Sequence, residues 1–171
     1  MDVVTELGGE TVLLAAADLE LPIYAPELAE RDPRAVRLVD ALRRADGVVV
    51  STPGYHGGMS GMIKNALDYV EDLRGDERPY LHGRPVGCIA CAYGWQATAT
   101  TLVGVRSVVH ALRGWPTPLG VAVNSGEPIW REDGTLADDG IATQLRLLAG
   151  QVLEFVDNRR ARAYSTDQTV V

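Results

Sequence analysis

The sequence predicts an α/β protein in three layers, a doubly wound parallel sheet covered by helices on both faces. Three observations lead there. Strand-like apolar segments alternate with helical patterns along the chain, the order from which parallel sheets are built. The strand segments are apolar at consecutive positions, as in Val48-Val49-Val50, which marks strands buried on both faces. Residues 51–70, STPGYHGGMSGMIKNALDYV, then run from one such strand through a glycine-rich turn into an amphipathic helix. That is the layout of a crevice at the carboxyl end of a parallel strand, where open α/β sheets bind ligands.

Taken in order, MDVVTELGG reads as the last turns of a helix closed by Gly8 and Gly9, because glycine just past a periodic segment stops a helix. Strands are expected at 11–17 (TVLLAAA), 47–51 (GVVVS), 85–91 (PVGCIAC) and 117–123 (TPLGVAV). Between the first two, Asp32 and Pro33 supply an N-cap and a first-turn proline, and Val36, Val39, Leu42 and Ala45 form the apolar stripe of a helix. A second helix opens at Ser60 and carries Met62, Ile63, Ala66, Leu67 and Val70. A third is expected from Gln96 to Arg113 and a fourth from Asp138 to Asp157. These elements make one domain over 1–157, without an internal boundary, followed by a loose polar tail at 158–171.

At 171 residues and a formal charge of −7, the chain is large enough for a real core and too acidic for a nucleic-acid groove. No apolar run approaches the roughly 20 residues of a membrane helix, and no secretory signal opens the chain. A cytoplasmic protein is expected, and two cysteines suit a reducing compartment. Cys88 and Cys91 form a C-x-x-C, but on a strand positions i and i+3 point to opposite faces, so they read as two core thiols, Cys91 at the strand end bordering the site region. His82 and His110 have no companions at metal-ligand spacing and read as surface residues; no metal site is expected.

Ser51-Thr52-Pro53-Gly54-Tyr55-His56-Gly57, followed by Ser60-Gly61-Met62-Ile63-Lys64-Asn65-Ala66-Leu67-Asp68, resembles the P-E-Y-N-G/H-G and S-x-x-G-x-[LI]-K-N-A-L-D signature of NADPH-dependent FMN reductases, flavodoxin-like quinone, azo-dye and flavin reductases. The likeness continues through His82-Gly83-Arg84-Pro85-Val86 and Glu132-Asp133-Gly134-Thr135-Leu136. It implies a flavodoxin-like fold, bound FMN, and hydride passed from NAD(P)H through FMN to a quinone, flavin or azo-type acceptor. The FMN-binding residues it implies are Thr52, Pro53, Gly54, Tyr55, His56 and Gly57 on the first loop, and Tyr93 and Gly94 on the second. Glycines there permit positive φ and close backbone approach to a flat ring, and Tyr55 can lie against it. Gly54 stands where the family commonly has Glu, which would widen the ring pocket. His56 stands where it commonly has Asn; it can donate a hydrogen bond, can change charge near neutral pH, and is the one candidate for proton delivery. In Ala92-Tyr93-Gly94-Trp95-Gln96 the Gly94 N–H is expected to meet the pyrimidine edge of the flavin, while Tyr93 and Trp95 either cap the ring or pack at the surface. Lys64, Asn65 and Asp68 are spaced for an exposed face, on a helix the family uses for subunit contact, so a homodimer or homotetramer is implied. Trp130 lies in a long loop that in this fold borders the flavin.

The family's phosphate loop, roughly G-S-x-R-x-x-S between first strand and first helix, does not occur in this sequence. Residues 11–17 align with the family's second strand, so the first, central strand is expected to be missing, which would leave 11–17 and 47–51 about two spacings, roughly 9.6 Å, apart. Either 11–17 slides over to pair with 47–51, a partner chain fills the slot, or the natural protein begins earlier, the expectation favoured here. Two other functions compete with the reductase: a flavodoxin-like electron carrier reduced by a partner protein, and a flavin-free scaffold subunit.

Overall fold

The structure is a computed structural model and describes residues 2–167. Helix α1 (Asp2–Glu6) is followed by a 3-10 turn (Ala16–Leu19), α2 (Pro33–Arg44), β1 (Val48–Tyr55), β2 (Gly58–Met59), α3 (Gly61–Asp68), a second 3-10 turn (Tyr69–Leu73), β3 (Pro85–Ala92), α4 (Trp95–Ala111), β4 (Trp115–Pro116), β5 (Val121–Asn124) and α5 (Asp139–Asp167).

β3 is the centre of the sheet. β1 runs parallel to it from Val48↔Val86 to Pro53↔Cys91, and β4 and β5 lie parallel along successive stretches of its other edge. β2 alone is antiparallel, folding back on β1. One core lies between the sheet and α2, α3 and α4, where Val50, Val86 and Cys88 meet Leu38, Val70, Val105 and Val109. The second lies on the other face, where Val121 and Val123 meet Ile141 and Leu148 of α5, with Ile89 and Cys91 against them. The two cysteines therefore serve opposite layers. Burial pushes the Cys88 thiol up to about 11, so it is neutral and packs as a small apolar group.

The helix starts follow their signals: the Asp32 side chain accepts from the Arg34 N–H at 2.8 Å with Pro33 in the first turn, and Ser60 Oγ accepts from the Ile63 N–H at 3.2 Å. The Gly8 N–H bonds Thr5 O and the Gly9 N–H bonds Val4 O, both at 2.9 Å, with Gly8 at φ 90°. That is the Schellman closure of α1. Arg84 is 1 % exposed and has no carboxylate partner. It donates to Arg43 O, Ala45 O, Tyr80 O and Arg78 O at 2.8 to 3.4 Å. A cation thus closes the carboxyl end of α2; burial lowers its pKa to about 10, which leaves it charged at neutral pH.

Three expectations are corrected. Residues 11–17 form no strand: they run without regular structure into the first 3-10 turn, with Val12 69 % and Leu13 59 % exposed. A strand persists only where its N–H and C=O groups find a ladder, and this segment does not slide over to pair with β1, whose outer edge is paired only at Gly54 and Tyr55, by β2. Asp18 instead takes the Ala15 N–H at 3.2 Å and tightens the turn. Of the strand expected at 117–123 only the end is strand, as β5 (Val121–Asn124), while the chain pairs with β3 earlier, at β4 (Trp115–Pro116). Between them Pro118 has no N–H to donate, the Thr117 hydroxyl turns to Leu119 O at 2.7 Å, and the Leu119 N–H goes to Gln151 of α5 at 3.0 Å. The polar stretch expected to be loose from Asn158 continues α5 to Asp167; residues 168–171 lie outside the described residues.

Candidate functional site

The glycine-rich loop of the sequence is the hairpin between β1 and β2. Tyr55 pairs with Gly58, so His56 and Gly57 are the two central residues of the turn, at φ 50° and 85°. Both positive values define a type I′ turn, whose preferred sequence is Asn-Gly; histidine shares asparagine's tolerance of the left-handed region. The Asn-or-His preference at this position is thereby accounted for by backbone geometry.

The residues before the turn divide between two faces. Thr52 is 1 % exposed; its hydroxyl donates to Pro53 O at 2.9 Å and accepts from the Ser60 N–H at 3.1 Å, tying β1 to the start of α3. Gly54 faces α4: a Cβ there would lie 2.5 Å from Thr101 Oγ1 and 2.9 Å from Ala92 Cβ. The expectation that Gly54 widens a ring pocket is therefore corrected, because α4 occupies the space. Pro53 and Tyr55 are exposed on the other face, Tyr55 by 60 %.

The facing wall is the exit of β3. Tyr93 is 82 % exposed, and Gly94, at φ 88°, is the N-cap of the 17-residue helix α4. Gly57 on one side, and Tyr93 to Ala97 with Thr100 on the other, enclose an open cleft of about 530 Å³. It lies at the carboxyl ends of the adjacent parallel strands β1 and β3, and its floor includes the first turn of α4, whose N–H groups have no intrahelical partner and carry the positive end of the helix dipole. No Lys or Arg lines it. The Gly94 N–H is engaged within the chain: it donates to Asn124 Oδ1 at 2.8 Å. This corrects the role expected of that amide.

Of the sequence-derived site residues, Gly57, Tyr93 and Gly94 line the cleft; Tyr55 and His56 stand at the hairpin tip; Thr52 and Gly54 face inward as supports. Trp95, Gln96, Ala97 and Thr100 line it too, and only Trp95 and Gln96 had a signal, as neighbours of Gly94. Asn124 was missed as well, although its Asx turn to the Gly126 N–H, at 3.0 Å, is a local pattern.

Elsewhere in the signature, Lys64 and Asp68 form an exposed ion pair at 2.6 Å. Asn65 differs from expectation: it is 8 % exposed, accepts from the Tyr24 N–H at 2.8 Å and donates to Pro22 O at 2.9 Å, clasping the segment before α2 onto α3. Trp130 is 64 % exposed, in a small hairpin bridged from Trp130 to Leu136 and closed by Arg131 on Leu136 O and Ala137 O. His82 and His110 are exposed, as expected.

Residues 1–128 match the NADPH-dependent FMN reductase family, and the chain belongs to it. It is 34 % identical over 116 residues to an FMN-dependent NADPH-azoreductase of Staphylococcus haemolyticus, covering 67 % of this chain and 58 % of the relative. It is 33 % identical over 121 residues to an NADPH azoreductase of a Bacillus species, covering 70 % and 63 %. The chain thus spans about three fifths of the length of these curated relatives. Among solved structures it is similar to FerB, a flavoenzyme NAD(P)H:(acceptor) oxidoreductase from Paracoccus denitrificans, with a TM-score of 0.66 and 26 % identity over 91 % of this chain and 84 % of that one. An oxidoreductase from Corynebacterium diphtheriae aligns with a TM-score of 0.62 at 19 % identity, over 92 % of this chain and 82 % of that one, a likeness of fold. The fold is flavodoxin-like α/β.

Proposed function

We propose that this chain is an FMN-dependent oxidoreductase that takes electrons from NAD(P)H and delivers them to a small azo, quinone or flavin acceptor. The observation that carries the reading is the cleft between Gly57 and Tyr93–Ala97, inside the family-matched segment and at the carboxyl ends of β1 and β3. Its residues fit the flat end of FMN: backbone without side chains at Gly57 and Gly94, aromatic walls at Tyr93 and Trp95, and helix-end amides for the electron-rich edge of the ring. They offer no cation to the phosphate. When bound, FMN supplies the exchange of electrons between nicotinamide and acceptor.

The chain's own part is placement. The I′ turn holds Gly57 against the cleft, and Thr52 with Ser60 holds that turn on α3. The first turn of α4 favours negative charge. His56 sits exposed next to Gly57, where an imidazole can return a proton to the acceptor alongside water. Among the described residues no helix is long and apolar enough to cross a membrane; the same reading carries a cytoplasmic homodimer or homotetramer, supported by exposed Trp130 and Met62 and checked by mass in solution. The decisive experiment is an anaerobic titration. The chain should take up FMN, and its flavin absorbance should bleach with added NADPH and return with an azo dye or quinone. A chain that gains no flavin absorbance from excess FMN refutes the reading, and flavin that is reduced only by a partner protein makes it a carrier.

A further inference from the structure

We infer that Asn124 is the positioning residue of the cleft, a side-chain clamp that sets the wall formed by Tyr93 and Gly94. The placement rests on the flavin reading above; the clamp itself does not. Asn124 is the last residue of β5 and pairs with Ala92 at the end of β3. Its single Oδ1 accepts two backbone N–H bonds from different loops, Gly94 at 2.8 Å and Gly126 at 3.0 Å, and its Nδ2 donates to Glu127 Oε1 at 3.1 Å. Two amides aimed at one atom require an oxygen there, so the orientation of the side-chain amide is determined. The Ser125 N–H adds a bond to Ala92 O at 2.9 Å, and a Cβ on Gly126 would stand 3.4 Å from the Tyr93 ring, so that ring lies along the 125–127 loop.

The consequence reaches the ligand. Gly94 holds φ 88° and begins α4, and the bond to Asn124 fixes its peptide while removing its N–H from use by a ligand. Tyr93, otherwise free at a strand exit, gains a surface to rest on. Without the clamp the β3 and β5 exits keep their ladder and the Ser125 bond, but Gly94 loses its tie to β5 and the cleft loses a fixed wall.

The test compares wild type, Asn124→Ala and Asn124→Asp combined with Glu127→Gln as full chains, reading amide hydrogen exchange without ligand and then FMN binding. Exchange at Gly94 and Gly126 should quicken about ten-fold in Asn124→Ala, equivalent to one bond of roughly 1.4 kcal/mol. It should return toward wild type in Asn124→Asp combined with Glu127→Gln, which keeps the accepting oxygen and replaces the carboxylate that Nδ2 faces by an amide that can donate back. The FMN Kd of Asn124→Ala should rise about ten-fold or more, with its flavin band moving toward that of free FMN. Asn124→Ser, too short to reach both amides, replaces the alanine variant if that does not fold. Equal exchange in wild type and the truncated variant overturns the clamp. Faster exchange with unchanged FMN affinity and band overturns the positioning role. A wild-type chain that takes up no FMN overturns the flavin reading and the placement built on it, and the exchange comparison still decides the clamp.

Discussion

Gly54 and Thr101 should behave as one packing unit. A Cβ at Gly54 would meet Thr101 Oγ1 at 2.5 Å and Ala92 Cβ at 2.9 Å, against the roughly 3.5–4.0 Å at which carbon atoms rest. Overpacking of this kind costs about 1–3 kcal/mol. The backbone at Gly54 is not left-handed, so alanine also removes freedom from the unfolded chain, a gain of about 0.4–1 kcal/mol. Gly54→Ala should therefore lose about 1–2 kcal/mol. Thr101 Oγ1 is buried with no hydrogen-bond partner among the described residues. Thr101→Ala releases that group, a gain of about 1–3 kcal/mol, and gives up a methyl group worth about 0.8 kcal/mol and the packing around it, so its net effect should be small. In the double variant the 2.5 Å contact is gone while the one at Ala92 remains, and the pair should be about 1 kcal/mol more stable than the sum of the singles. Urea unfolding of all four proteins with constant m-value measures this coupling. Costs that add within about 0.5 kcal/mol would show that the two residues do not share the space.

Three more outcomes can be stated. Gly57→Ala, at φ 85°, should cost about 1–2 kcal/mol in urea unfolding; His56→Asn keeps the turn and, because the tip is open to water, should lower turnover less than ten-fold, short of the roughly 10²–10⁴ of an essential acid, so a hundred-fold loss would refute the reading that water shares proton return with His56. Arg31 holds both oxygens of Asp72, at 2.7 and 2.8 Å, and these bonds bring the Asp72 carboxyl below its ordinary value. A depressed carboxylate contributes stability that is full above the unfolded value of about 3.9 and is lost as pH falls through the folded value. Acid unfolding should therefore be less steep in Asp72→Asn over that window; an identical slope in the two proteins would refute the assignment.

What the sequence made legible was what depends on near neighbours. The caps at Asp32 and Ser60 and the glycine closure of α1 are all local, whereas the stripe expected for α2 is only partly right: Val39 is buried, but Val36 is 45 % exposed and Ala35 and Leu38 fill the inner face. Residues 11–17 have strand composition, but a strand also needs an edge, and no propensity supplies one. Gly54 looked like an opening because the residue that fills it, Thr101, comes from another layer. Spacing put Asn65 with Lys64 and Asp68, yet adjacent helical positions are about 100° apart, and only the tertiary contact with Pro22 and Tyr24 reveals that Asn65 faces inward. The Asx turn of Asn124 is local; its bond to Gly94 joins two strand ends and is not.

The same distinction bears on how the family signature should be understood. His56-Gly57 matches because the hairpin needs a left-handed pair, Ser60 because α3 needs a cap, Asn65 because a neighbouring segment needs a clasp, and Arg84 because α2 needs a cation at its carboxyl end. Glu132 to Leu136 likewise spans a tight hairpin, with the Thr135 N–H on Asp133 at 2.9 Å. Apart from Gly57, none of these residues lines the cleft. Tyr93 and Trp95 stand in its wall, and Asn124 fixes that wall from behind. A signature made largely of structural positions identifies the cleft; on the proposed reading the aromatic wall chooses the acceptor. Substitutions at Tyr93 and Trp95 should therefore change the ratio of azo-dye to quinone turnover while leaving stability in urea within about 0.5 kcal/mol of wild type, and an unchanged ratio would refute that role.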